Sequence, residues 1–376
     1  MLLYFCLDFL IIIIYTVIIS NYNKLLFWED GVDNNILKSV KNESIKKIFN
    51  AVASKSLISR LEIAQATGLS LMTVGKVIDS LLNLNILTQE LELKGNVGRR
   101  AGLLSLNTIH YAVVIDLTER AFTLSVIDLS LKLVDNMTYT YNKSLYYDDN
   151  LYMFLKSAAI YINKRRDKDK MIGIGVTVPG IYISAEDKVI STKVPELNTI
   201  QIRQTFEELL GQKVSVIMKN VKAAAISAIG MIPEREKRVI VYMYMGESVD
   251  GAVYSQGSFI KGAHDSECDF GRMILRYGEK LENRIQTSRS DEAIANELSS
   301  AVYNIVTILD PDAFIIESAL PREPDFIVNQ IKNALITEYG LQQSRIPDFF
   351  ACGSSFKHSV RGIGILMRDS WIDTLI

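Results

Sequence analysis

Apolar residues recur at three- and four-residue steps along the first third of the chain, a spacing that places them on one face of a helix. The spacing predicts three helices, over residues 34–53, 61–65 and 73–82. Thr67-Gly68 supplies a turn between the second and third helices, and Ser70 is a suitable N-cap for the third. An alternating stretch with a turn at Gly95-Asn96 then predicts a β-hairpin. We therefore expect a winged helix-turn-helix over residues 32–107.

From residue 108 to residue 376, short apolar strands alternate with amphipathic helices, which predicts an α/β domain. The predicted strands cover residues 111–116, 122–128, 133–141, 171–178, 214–218, 239–245, 252–254 and 313–317. The predicted helices cover residues 151–165, 202–210, 221–229, 291–309, 325–338 and 359–370. The short segment 107–110 is expected to join the two domains.

Residues 1–31 form a separate hydrophobic segment, in which Met1–Ser20 is almost wholly apolar and contains the single charge of Asp8. About 20 apolar residues can span a bilayer. Three interpretations stay open: an upstream segment added by mis-started translation before a true start at Val32, a membrane anchor, and a buried helix. The lysine cluster that begins at Lys24 would keep the rest of an anchored chain in the cytoplasm.

The composition restricts the chemistry that the chain can support. Charged residues make up 22% of the 376 residues and the formal net charge is −2, so the overall balance does not indicate a nucleic-acid binder. Cysteines and histidines are few and widely separated: Cys6, Cys268, Cys352, His110, His264 and His358. They form neither the paired spacing of a zinc motif nor a disulfide scaffold. We expect a cytoplasmic protein with no metal and no cofactor.

Local charge and the helix-turn-helix pattern point to DNA. Residues 32–107 carry ten Lys or Arg and six Asp or Glu, a net charge of about +4. The N-terminal part of the third helix should face base edges, and a basic wing suits phosphates or a narrow minor groove. The predicted DNA contacts are Ser70, Leu71, Met72, Thr73 and Lys76 on the helix and Arg99 and Arg100 on the wing. A three-helix bundle that docks a protein is the alternative.

From about Val32 onward the chain resembles the ROK family of repressors, open reading frames and sugar kinases, through motifs that follow the family's order. These motifs are Gly98–Asn107 at the domain junction, Ile115-Asp116 with Val126–Leu129, Gly173–Gly180, Gly257 with Gly262–His264, Asp310-Pro311 and Gly362–Gly364. The resemblance implies a two-lobed, actin-like α/β domain of the sugar-kinase type behind the winged helix-turn-helix.

The same resemblance implies that kinase chemistry is lost. Where the family has Asp-x-Gly-Gly-Thr the chain has Asp116–Arg120, and the second phosphate turn, Gly246–Gly251, carries two added carboxylates. Glu317–Ala319 replaces a double glycine on the adenosine side. Asn220 stands where the family has its catalytic Asp, and an amide cannot accept a proton at neutral pH. We expect a pseudokinase without catalytic residues.

A remnant of the family's sugar site is expected at Asn220, Asp269 and Arg272. The family's Glu-Ile-Gly-His motif appears here as Asp269–Arg272. Asp269 can accept hydrogen bonds from sugar hydroxyls, and Arg272 can pair with a carboxylate or phosphate, which favours an anionic sugar derivative. An internal Asp269–Arg272 ion pair in a vestigial cleft is the alternative. The family's cysteine-rich zinc loop is absent, so no structural zinc is expected.

These patterns predict a DNA-binding transcriptional regulator, a repressor of carbohydrate-metabolism genes that binds a palindromic double-stranded operator as a homodimer. The ROK domain would supply the dimer interface and respond to a sugar or sugar-derivative effector. Two alternatives stay open. One is an active ROK sugar kinase that phosphorylates a hexose with ATP, and the other is a regulator tethered to a membrane through residues 1–20.

Overall fold

Two compact units make up the chain in a computed structural model, one formed by residues 1–107 with 372–376 and one by residues 108–371. The structure describes residues 43–91, 102–118, 121–246, 248–263, 268–275, 278–319, 323–353 and 358–375. The division of the chain into segments 1–31, 32–107 and 108–376 stays a prediction, because its first segment lies outside the described residues.

Three helices and a three-stranded antiparallel sheet form the first unit. Its elements are α1 (described over 43–53), β1 (Ile58–Ser59), α2 (Arg60–Thr67), α3 (Leu71–Asn83), β2 (Leu87–Leu91) and β3 (Gly102–Leu106). The strands pair in the order β1-β3-β2. This is the predicted winged helix-turn-helix arrangement, with β1 as a strand that the sequence did not indicate. The turn between β2 and β3, including Arg99 and Arg100, lies outside the described residues.

Local sequence explains where these helices begin and end. Ser59 caps α2 through a capping box in which its side chain accepts from the Glu62 amide while the Glu62 carboxylate accepts from the Ser59 amide. Gly68 ends α2 with a φ of 70°, a conformation that side chains with a Cβ rarely adopt. Ser70 then caps α3 by accepting a hydrogen bond of 3.1 Å from the Thr73 amide.

Two five-stranded sheets with the same strand directions form the second unit. The first sheet contains β4 (Tyr111–Leu117), β5 (Ala121–Asp128), β6 (Leu133–Thr140), β7 (Met171–Val178) and β10 (Val214–Lys219). Its order is β10-β7-β4-β5-β6, with the β4–β5–β6 pairs antiparallel and the β4–β7–β10 pairs parallel. The small hairpin β8 (Ile181–Ile183) and β9 (Lys188–Ile190) follows β7.

The second sheet repeats this pattern. It contains β11 (Ile240–Met245), β12 (Val249–Ser255), β13 (Ser258–Phe259), β14 (Ala313–Ser318) and β15 (Asp348–Gly353). Its order is β13-β12-β11-β14-β15, again with an antiparallel half and a parallel half. Two sheets of this kind, each covered by helices, constitute the expected two-lobed, actin-like fold.

Seven helices of the described chain accompany these sheets. They are α4 (Tyr147–Lys164), α5 (Ile202–Leu210), α6 (Asn220–Ile229), α7 (Leu281–Thr287), α8 (Asp291–Leu309), α9 (Pro324–Thr337) and α10 (His358–Thr374). Helix α6 contributes both to the core against the second sheet and, through Ala223, to a cluster with the first sheet and α10. At this crossing Gly362 lies so close that a Cβ on it would stand 1.7 Å from the Ala223 carbonyl oxygen. The glycine is therefore required by close packing.

The long apolar strands and the amphipathic helices appear where the sequence predicts them, whereas short elements were missed. The elements β8, β9, β13, β15 and α7 were not predicted. Among the described residues, no helix combines the length and apolar character needed to cross a bilayer, and Met1–Ser20 lies outside them.

Candidate DNA-binding surface and ligand cleft

Helix α3 buries one face and leaves its N-terminal turn exposed. Val74, Ile78 and Leu81 are buried in the core of the first unit. In contrast, Leu71 is 56% and Met72 is 72% exposed. Large apolar side chains this exposed at the start of a helix are available for contact with another molecule.

The described polar members of the predicted DNA-binding set lie on the first two turns of α3. Ser70 and Lys76 are exposed and Thr73 is half-buried. The Ser70 hydroxyl lies 2.9 Å from that of Thr73, so both side chains are held at the tip of the helix. Arg60 of α2 forms an ion pair of 2.8 Å with Asp79, which ties the two helices together behind this surface.

In the second unit, a cleft of about 490 Å³ opens between the two sheets. Its walls come from the ends of β7 and β10, the start of α6, strand β12, the turn around Phe270 and helix α7. All three residues predicted to bind a ligand, Asn220, Asp269 and Arg272, line it. The volume is within the range of about 300–1,000 Å³ typical of small-molecule sites.

Ion pairs dominate the polar lining of the cleft. Arg272 Nε lies 2.7 Å from Asp269 Oδ2, and the Arg272 side chain is 66% exposed. Lys193 Nζ lies 2.5 Å from Glu282 Oε1. The third pair joins Lys219 to Asp250. Adding the cation of Lys280, which also lines the cleft, leaves its formal charge at +1.

Asp250 is the most enclosed carboxylate of this lining, with 7% exposure. Burial raises its pKa, although the neighbouring Lys219 ammonium opposes the shift. Its Oδ1 also accepts a hydrogen bond of 2.9 Å from the Gly251 amide. The carboxylate is therefore held by two partners.

Asn220 is the first residue of α6 and faces the cleft. Its side-chain oxygen accepts a hydrogen bond of 2.8 Å from the Val221 amide. The amide group can offer hydrogen bonds to a hydroxyl, but it has no basic atom that could remove a proton from one.

In the two turns that we expected to correspond to phosphate loops, three of the described amides donate within the turn. The Thr118 amide donates to the Ala121 carbonyl at 3.1 Å, and the Ala121 amide donates to the Thr118 hydroxyl at 3.1 Å. In the second turn, the Gly246 amide donates to the Ser248 carbonyl at 2.9 Å. An amide that already has a partner is not free to bind phosphate oxygens. Glu119, Arg120 and Glu247 lie outside the described residues.

Glu317, which we expected to replace a glycine on the adenosine side, is buried. Glu317 is 4% exposed and accepts a hydrogen bond of 2.8 Å from the Tyr242 hydroxyl. Burial raises the pKa of this carboxyl to about 7.

The sequence identified three lining residues, and the structure adds Lys193, Lys219, Asp250 and Glu282. Lys193 and Glu282 are 89 residues apart in the chain, so no local pattern could have paired them.

The fold and cleft define a two-lobed α/β domain of the sugar-kinase type. Residues 113–284 match the ROK family.

Solved structures share this fold at low sequence identity. A ROK family transcriptional regulator, a homologue of the E. coli MLC protein, is 13% identical, with a TM-score of 0.65 and coverage of 89% of this chain and 98% of that one. A ROK family glucokinase from Streptomyces griseus in complex with glucose and AMPPNP is 11% identical, with a TM-score of 0.54 and coverage of 68% and 98%. A ROK family protein from Streptococcus pneumoniae TIGR4 in complex with sucrose is 14% identical, with a TM-score of 0.54 and coverage of 70% and 98%.

Among curated sequences, the chain is 24% identical over 235 residues to the uncharacterized protein y4fQ of Sinorhizobium fredii. The match covers 59% of this chain and 57% of that protein.

Proposed function

We propose that the chain is a DNA-binding transcriptional regulator, a repressor of carbohydrate-metabolism genes whose ROK domain binds a sugar-derived effector and does not transfer phosphate. The exposed N-terminal turn of α3, presented by a capped helix-turn-helix, is the observation that carries the proposal. The regulator acts as a homodimer in the cytoplasm and reads two operator half-sites about one helical turn apart.

The DNA-binding part of the proposal has a direct geometric basis. A recognition helix must keep its first turn free of its own core so that the turn can enter the major groove. Leu71 and Met72 meet this requirement by exposure, and Lys76 lies on the next turn, where its ammonium can reach a phosphate. Arg99 and Arg100, which lie outside the described residues, are proposed as additional DNA contacts.

The extent of the structural likeness supports a regulator over a free-standing kinase. The regulator structure covers 89% of the chain, and the glucokinase covers 68%. The additional coverage, about a fifth of the chain, is comparable in size to the described part of the first unit. The glucokinase match does not extend over that share of the chain.

The cleft suits an effector better than a reaction. Each carboxylate of its described lining is paired with a cation, and the lining includes Asn220, which the family resemblance aligns with the catalytic Asp. Arg272 is exposed enough to leave Asp269 and bind a carboxylate or phosphate on the effector. The proposed ligand is therefore an anionic sugar derivative, bound by Asn220, Asp269 and Arg272.

A mobility-shift titration with the promoter next to the chain's own gene tests DNA binding. Lys76→Ala should weaken binding by about three- to tenfold and reduce the salt slope by about one ion. Lys47→Ala is the matched control, because Lys47 is exposed on α1 and pairs with Glu43 instead. Absence of any shift at low salt with folded protein would refute the proposal, as would equal losses in both variants.

A coupled assay with ATP and a panel of hexoses tests the competing kinase activity. We expect no sugar phosphate above the background of a heat-inactivated sample. Turnover that disappears in Asn220→Ala would show an active kinase and overturn the non-catalytic part of the proposal.

A further inference from the structure

Three residues with metal-binding side chains meet in the second unit, away from the ion pairs of the cleft. Potential ligand atoms of Glu317, Cys352 and His358 all lie within 4.8 Å of one another. The residues come from three elements: β14, β15 and the first turn of α10.

The sheet register explains why they meet. Strands β14 and β15 are parallel, and Glu317 pairs directly with Cys352. Paired residues on neighbouring strands carry their side chains on the same face. The face is the one covered by α6, because Ser227 of α6 lies 3.2 Å from Nδ1 of His358. Glu317, Cys352 and His358 therefore converge between the second sheet and two helices.

We propose that Glu317, Cys352 and His358 bind a divalent transition-metal ion, with Zn²⁺ as the chemical class that fits this ligand set. A carboxylate, a thiolate and an imidazole are each established zinc ligands, at about 2.0–2.3 Å. Ligands at those lengths in a tetrahedron are about 3.3–3.7 Å apart. The ligand atoms lie within 4.8 Å of one another here, and small side-chain rotations would bring them into that range. A solvent molecule completes the coordination.

The surroundings supply what a metal site requires besides its ligands. Glu317 is 4% exposed and His358 is 7% exposed, so water competes weakly for the ion. The Tyr242 hydroxyl donates to one carboxylate oxygen of Glu317, and the Ser227 hydroxyl contacts the His358 ring. Such outer hydrogen bonds hold metal ligands in orientation. A bound cation would also compensate for the cost of burying a carboxylate.

This inference departs from the expectation of no metal, which rested on the missing cysteine-rich loop and on the absence of paired Cys and His spacings. Glu317 and Cys352 are 35 positions apart in the chain and are adjacent only through the sheet. The proposed site is independent of the proposed function, because it uses none of the DNA-binding or effector residues.

The first test measures metal in the full-length chain. Protein stripped with a chelator and dialysed against Zn²⁺ should retain one equivalent by elemental mass spectrometry. Loaded instead with Co²⁺, it should show a thiolate-to-cobalt charge-transfer absorption. Folded protein that retains no metal, or that retains cobalt without this absorption, would overturn the proposal.

Variants of Cys352 and Glu317 test whether these side chains bind the metal. Cys352→Ser should lose the charge-transfer absorption and lower the affinity at least about tenfold, and Glu317→Gln should lower it similarly while keeping the Tyr242 hydrogen bond. Cys268→Ser is the matched control, since Cys268 is also half-buried and outside any disulfide but is not part of the cluster. An absorption that persists in Cys352→Ser, or that disappears in Cys268→Ser, would contradict the assignment.

A measurement on the unaltered chain covers the case in which the variants fail to fold. Zn²⁺ should slow iodoacetamide modification of Cys352 at least about tenfold, mapped by peptide mass spectrometry, and leave that of Cys268 unchanged. Equal protection of both cysteines, or of neither, would refute the site.

Discussion

One glycine-to-alanine change should have opposite effects at two helical positions. Gly75 lies in α3, where an added Cβ would meet Arg60 Nη1 at 3.7 Å, an ordinary contact distance. Gly362 lies in α10, where the added Cβ would stand 1.7 Å from the Ala223 carbonyl oxygen and 2.6 Å from its carbon. Because the substitution is the same at both positions, the difference between the two changes in stability reports the effect of packing around each residue.

The magnitudes follow from these contacts. Alanine in a helix interior is favoured over glycine by about 1 kcal/mol, so Gly75→Ala should stabilise the first unit by about that amount. At Gly362 the clashing atoms belong to backbone and cannot rotate away. Helices α6 and α10 would have to separate by more than 1 Å, which opens the cluster containing Val360 and Ile363. Overpacking costs about 1–3 kcal/mol, so we expect a net destabilisation of about 2 kcal/mol despite the helix preference.

Native-state hydrogen exchange with peptide resolution can read both units in one experiment. Peptides from α3 should be better protected in Gly75→Ala, and peptides from α6 and α10 should be less protected in Gly362→Ala. Denaturation followed by Trp371 fluorescence, in a Trp28→Phe background, gives a second measure of the stability of the second unit. The centre of the Trp371 ring lies 4.9 Å from that of the His110 ring. Unchanged protection in Gly362→Ala would refute the close helix crossing, and a loss in Gly75→Ala would refute the open position assigned to that residue.

Three further changes test the local structure. Ser59→Ala removes the capping box of α2 and should lower stability by about 1 kcal/mol in urea denaturation, whereas exposed Ser54→Ala should change it by less than about 0.5 kcal/mol. Hydrogen bonds from the Ser59 backbone and side chain, and from Lys55, lower the pKa of Glu62 to about 2. The ionised Glu62 carboxylate therefore stabilises the fold above the usual pKa of 4.5, and this stabilisation is lost as pH falls towards 2. Glu62→Gln should flatten that part of the dependence of stability on pH. Asn150→Ala removes a buried side chain that hydrogen-bonds to the backbone of the exposed loop residues Asn142, Leu145 and Tyr146. Because water can reach these loop groups, the change should cost about 2 kcal/mol by thermal unfolding, whereas exposed Asn163→Ala on the same helix should be nearly neutral.

Sequence patterns predicted the helices and strands that are long or apolar enough to show a clear hydrophobic pattern. Helices α5 and α8 have the predicted bounds, because a capping serine or a terminal glycine marks their ends. Strand β15 was missed although it has six residues, like the predicted β11 and β14. Unlike those strands, it has no buried position, so its sequence lacks their continuous apolar run. A strand at the edge of a sheet with no buried position depends on its neighbour in the sheet, and a single sequence does not show which strand that neighbour is.

The candidate sites also differ in how far the sequence could predict them. The tip of α3 could be predicted because a helix-turn-helix is local, and its exposed residues follow from helical periodicity. The cleft could be predicted only in part, through motifs at Asn220 and Asp269–Arg272. The ion pair of Lys193 with Glu282, and the pairing of Glu317 with Cys352, depend on which strands and helices become neighbours. Neither pair could be predicted from the sequence, because its two residues are far apart in the chain.

The pairing of charges in the cleft constrains how an effector can act, if the proposed function holds. A ligand that enters this cleft exchanges its own groups for existing ion pairs and does not simply fill a void. An anionic group can replace Asp269 at Arg272, and the released carboxylate can accept hydrogen bonds from the ligand's hydroxyls. A neutral sugar would leave the Asp269–Arg272 pair intact and gain only hydrogen bonds. Because a ligand shifts a conformational equilibrium only by its difference in affinity for the two states, rearrangement of this pair is a physical route from binding to a change in the ROK domain.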